Sequence, residues 1–123
     1  SGNLSDTLGE LVRVMPSAVT SSWAVVLRND DDGLTRAAAS PAAPEDDGSH
    51  PQMPPIDSAR ILQPDFDGWA PESWFQLGTS LTMTPLHGTD MVLVVGRVGG
   101  PDFLASEVRE IGDLGCIVGA MLR

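Results

Sequence analysis

Five consecutive apolar residues, Met91, Val92, Leu93, Val94 and Val95, constrain this chain more than any other feature. Successive side chains of a strand point to opposite faces, so an unbroken apolar run needs cover on both. The strand Asp90–Val98 therefore belongs at the centre of a sheet. One face calls for helices, and the other for a loop layer or a ligand. Two segments have the pattern for the helices. Residues 3–15 place Leu4, Leu8, Leu11, Val12 and Met15 on one helical face, with Asn3 or Ser5 as N-cap and Pro16 as the stop. Residues 104–123 carry Val108, Ile111, Val118, Met121 and Leu122 at similar spacing.

The other strands follow from local signals. Residues 21–28 are rich in β-branched and aromatic residues and predict a strand. Asn29-Asp30-Asp31-Asp32-Gly33 supplies a turn, with Gly33 able to take positive φ, and Leu34–Ser40 returns as the hairpin partner. Residues 79–86 read as a further strand, and His87-Gly88 turns it into the apolar one. Between these pairs lies a segment of another kind. Seven of the ten prolines fall within 41–75, which blocks continuous helix or central strand there. The segment predicts an irregular excursion, with one short helical turn near Ile56–Leu62.

At 123 residues and 41% apolar content, the chain builds one core, so a single domain over 1–123 is expected. Its formal charge is −10, and all seven basic residues are arginine. Such acidity disfavours nucleic acid and anionic membrane surfaces as partners. It also serves solubility. Cys116 is the only cysteine, which excludes an internal disulfide and predicts a small buried apolar residue. No apolar run is long enough to span a bilayer and no signal peptide opens the chain, so a cytoplasmic setting is expected. The Ser1-Gly2 start and the stop within a helix read as a segment of a longer protein.

Chemistry-bearing patterns are scarce. Asp30-Asp31-Asp32-Gly33 would put Arg28 at the first ligand position of a calcium loop and lacks the closing Glu, so it reads as a solvated turn. His50 and His87 have no Cys, Asp or Glu at ligand spacing and are expected at the surface, with no metal or cofactor. No nucleophile elbow or phosphate loop is present, so no catalytic residue is assigned and the chain is expected not to be an enzyme. Trp69, Trp74 and Phe75 end the excursion. They either fill core beneath it or, with Met83 of the neighbouring strand, line a pocket for a flat ligand. Gly112, Gly115 and Gly119 form a small-residue stripe on the last helix, each costing about 1 kcal/mol relative to alanine. Such a stripe admits a close neighbour, either the N-terminal helix or a helix of a second chain.

One stretch has a family character: Pro85-Leu86, the turn at His87-Gly88, the strand Met91–Val98, then Gly100-Pro101-Asp102-Phe103 before the last helix. With the order helix, strand pair, excursion, strand pair, helix, the chain resembles a GAF-type sensory domain. PAS, roadblock and profilin-like domains share the broad plan, and a helix directly after residue 40 would mark the last two. The resemblance implies an α/β (α+β) fold, an antiparallel sheet with the N- and C-terminal helices on one face and a variable loop region on the other. It implies a small-molecule pocket under the 41–75 excursion, a homodimer through the terminal helices, and an output domain in a bacterial signalling protein. A degenerate member would keep only dimerisation and relay. The chain lacks the lysine of cyclic-nucleotide-binding members and a pocket cysteine for a bilin. It also lacks the second cysteine needed to reduce methionine sulfoxide through an intramolecular disulfide.

Overall fold

The apolar run lies at the middle of a five-stranded antiparallel sheet. The computed structural model describes residues 4–18, 21–46, 48, 50–63, 69–75 and 79–122. In chain order the elements are α1 (Leu4–Ala18), β1 (Trp23–Asp30), β2 (Gly33–Ala39), β3 (Arg60–Ile61), β4 (Thr79–Pro85), β5 (Met91–Val98) and α2 (Ala105–Leu122). A 3-10 turn, Glu72–Phe75, precedes β4. The strand order is β2-β1-β5-β4-β3, so β5 is third of five, as its two-sided apolarity requires.

Alternation along β5 feeds two cores. Leu93 and Val95 join Ala24 and Val26 of β1 on one face, under Leu8, Val12 and Met15 of α1 and Ile111 of α2. Both helices therefore lie on the same side. Val92 and Val94 join Val25, Leu27, Leu81 and Met83 on the other face, under Leu62, Ala70 and Trp74 of the excursion. Full burial of a side chain of this size contributes roughly 1.5–3 kcal/mol, so these two layers dominate the stability.

The β1–β2 hairpin turns at Asp31-Asp32, and Gly33 has φ +115°. A Cβ at Gly33 would also lie 2.9 Å from the Pro51 carbonyl oxygen, so glycine is required twice over. Three local expectations are corrected. Pro16 does not stop α1, which runs on to Ala18, because a proline so near the helix end removes only one late hydrogen bond. Ser5 lies inside α1, and Asn3 is outside the described residues. The segment around Ile56–Leu62 is extended, not helical: Arg60 and Ile61 pair with Met83 and Thr82, and Leu62 N–H donates to Leu81 C=O at 2.9 Å. Pairing there covers backbone groups that the buried outer edge of β4 would otherwise leave unsatisfied. Residues 41–46, directly after β2, are not helical, and no helix among the described residues is long and apolar enough to cross a membrane.

Candidate functional site

The residues singled out for a pocket come together in the core beneath the excursion. Pro71 opens the 3-10 turn by accepting from Trp74 N–H at 3.0 Å, and the turn drives Trp74 down onto the sheet. Trp74 is 4% exposed and Met83 0%, while Trp69 and Phe75 are half-buried at the rim. Trp69 meets Trp74 edge to face with centroids 6.0 Å apart, and Trp23 lies 6.2 Å from Trp74 at 58°. Both geometries suit the aromatic quadrupole. Trp23 in turn lies across its cross-strand partner Gly96, where a Cβ would come within 2.6 Å of the indole nitrogen. Among the described residues, the indoles of Trp23 and Trp74 pack between the sheet and the excursion. The cavity left beside Trp74, between Leu27, Leu34, Pro51 and Pro71, measures about 20 Å³, room for one water. Residues 64–68 and 76–78, which hold Asp65 and Asp67 of the excursion, lie outside the described residues.

The glycine stripe has a different occupant from the one expected. A Cβ on Gly115 would lie 2.6 Å from the Pro85 carbonyl oxygen and 3.0 Å from Thr84 Oγ1. On Gly119 it would lie 2.6 Å from His87 N, with the His87 carbonyl oxygen closer still. Gly112 faces Ala59 of the excursion at 3.2 Å. For Gly115 and Gly119 the close neighbour within the chain is backbone at the end of β4 and its turn, not α1. Small residues are needed because main chain, which cannot move aside as a side chain does, packs directly on the helix. The hydroxyls of Thr82 and Thr84, buried on the helical face of the sheet, have no hydrogen-bond partner among the described residues.

The entrance of α2 is held by a residue pair that the sequence reading missed. Arg97 is buried and makes a two-pronged ion pair with Glu107. Its guanidinium lies 4.2 Å over the Phe103 ring and donates to the Pro101 carbonyl at 3.3 Å. Glu107 also accepts from Leu104 N–H at 2.9 Å, the return bond of a capping box. The Arg97 hydrogen bonds, then the Leu104 amide, hold the Glu107 carboxyl below its ordinary range, against the opposing effect of burial. Glu107 at the third helical position was the legible signal. Its arginine, ten residues upstream, carries no local mark.

Among the described residues, two hollows lie along the length of α2, apart from one at its end. One, of about 410 Å³, opens between the helices and is lined by Asp6, Thr7, Glu10, Leu11, Val14, Val118 and Met121. The other, of about 380 Å³, includes Ala59, His87, Arg109, Asp113 and Cys116. Cys116 is exposed there, contrary to the expected burial, because it lies on the side of α2 turned from the sheet. His50 is exposed and His87 half-buried, and among the described residues no three His, Cys, Asp or Glu side chains are grouped to hold a metal.

With this geometry in hand, comparison with known proteins gives a fold. A crystal structure described as the GAF domain/HD domain protein from Geobacter sulfurreducens superposes with a TM-score of 0.70. The match covers 98% of this chain and 92% of that one, at 16% identity. No protein-family model matches the sequence, and no curated protein does. The chain has a GAF-like fold.

Proposed function

We propose that this chain is a non-catalytic regulatory domain that acts by association through its helical face, not by enclosing a small molecule. The observation that carries the reading is the filled space beneath the excursion. Ligand pockets run to about 300–1,000 Å³, whereas the cavity beside Trp74 holds about 20 Å³. Trp23, Trp69 and Trp74 act there as core. The solved neighbour is described as carrying a GAF domain and an HD domain. That pairing supports a parent protein in which this domain is joined to an output domain in a cytoplasmic signalling setting. Backbone of Pro85 and His87 packs against Gly115 and Gly119, which gives those two glycines an intrachain reason to be small.

Thermal-shift screening against a metabolite panel, with tryptophan emission recorded in parallel, tests the reading. No compound should raise the melting temperature. A ligand at a hundredfold excess over its Kd would add about 2.7 kcal/mol. A compound that stabilised the domain on that scale and altered the indole emission would restore the sensor reading, with Trp69, Trp74, Phe75 and Met83 as its pocket.

A further inference from the structure

The two edges of β4 are held very unequally. Along one, every residue from Thr79 to Pro85 is paired with β5. Along the other, β3 supplies only Arg60 and Ile61, and Leu62 N–H adds a bond to Leu81 C=O at 2.9 Å. Pro54-Pro55 and Pro64 bracket this stretch in sequence, and proline has no N–H with which to lengthen the ladder. Leu86 N–H donates to Met91 C=O at 3.0 Å, and successive amides of a strand point to opposite edges. Thr82 and Thr84 therefore aim their amides at β5, whereas Leu81 and Met83 aim theirs at β3.

The same short stretch touches both cores. Ile61 packs with the cluster under the helices, and Leu62, 3% exposed, belongs to the cluster under the excursion. Ala59 is the residue that a Cβ on Gly112 of α2 would meet at 3.2 Å. The closed arrangement also carries a cost. Thr82 is the cross-strand partner of Ile61, and continuing that register puts Thr84 opposite Ala59. Both threonines are fully buried and neither hydroxyl has a partner, which is less stable than the same hydroxyl in water. Ala59 lines the open hollow beside Cys116, so the stretch borders solvent on that side. Withdrawing it would admit water to the two hydroxyls, offsetting part of the apolar burial lost at Ile61 and Leu62.

We propose that Ala59–Leu62 is a latch that opens at the β4 edge while the sheet stays folded, loosening α2 and the excursion together. Contact with Gly112 on one side and with both cores on the other makes it the physical link between the two faces of the domain. The latch goes beyond the association reading and does not depend on it.

Native-state hydrogen exchange on the whole chain, read amide by amide by NMR at several low urea concentrations, is the test. Leu81 and Met83 should exchange on the order of a hundredfold faster than Thr82 and Thr84. Their rates should hardly respond to urea, because little surface opens, while those of Thr82 and Thr84 rise steeply as in global unfolding. Thr82→Val keeps the shape and removes one unpaired hydroxyl, so protection of Leu81 and Met83 should rise about tenfold. Gly112→Ala would press a methyl on Ala59, so protection of those two amides should fall severalfold while that of Thr84 does not. Circular dichroism melts would verify that both variants fold. Equal protection and equal urea dependence at all four amides overturns the latch, and the unsubstituted chain alone decides this. Unchanged protection of Leu81 and Met83 in Thr82→Val overturns the part given to the buried hydroxyls. The same result in Gly112→Ala overturns the link to α2.

Discussion

Gly119 and Gly9 show how one residue type has opposite effects in two helices. In α2, a Cβ at Gly119 would strike His87 backbone, and the turn there cannot yield as a side chain would. Gly119→Ala should therefore cost about 1–3 kcal/mol of overpacking, offset by about 1 kcal/mol of helix propensity. In α1, a Cβ at Gly9 meets nothing within 4 Å, so Gly9→Ala should stabilise by about 1 kcal/mol. Urea denaturation should move the midpoint down for the first and up for the second at unchanged slope. A rise for both would show that α2 does not seat on the β4 turn. Glycine spacing in the sequence revealed that something approaches closely. It did not reveal whether that neighbour is helix or strand, because a small residue admits either.

Two contacts decide how elements attach to the sheet. The Arg97–Glu107 pair fixes the start of α2, and its contribution depends on pH. A carboxyl whose value falls on folding contributes fully above the ordinary 4.5 and loses that contribution as pH drops through the lowered value. Glu107→Gln should be less stable than the parent by about 1–3 kcal/mol at neutral pH. The gap should close on acidification below the ordinary value, as read from denaturation curves at each pH. A gap constant into strong acid would show that the pair is not its source. On the opposite face, Trp74 anchors the excursion, so Trp74→Ala should cost about 3–5 kcal/mol. It should also open the 41–75 segment to limited proteolysis ahead of the rest. Unchanged cleavage there would mean that the segment is held by other contacts.

Across the whole molecule, a charge of −10 repels itself in the compact state. Raising salt from about 0.05 to about 0.5 M shortens the Debye length from near 14 Å to near 4 Å and should raise the melting temperature. A fall would show that its ion pairs outweigh that repulsion. The sheet's centre, the two helices, both hairpins and the irregular excursion were legible in sequence. Each rests on periodicity or turn chemistry, which act over a few neighbouring residues. The pairing of Arg60 and Ile61 with β4, the exposure of Cys116 and the link from Arg97 to Glu107 were not, since each depends on segments distant in sequence. The candidate site divides the same way. That Trp69, Trp74, Phe75 and Met83 cluster was readable from their positions. That Trp23 joins them and leaves a volume for one water was settled only by packing, because composition records how much aromatic surface is buried but not the space remaining between rings.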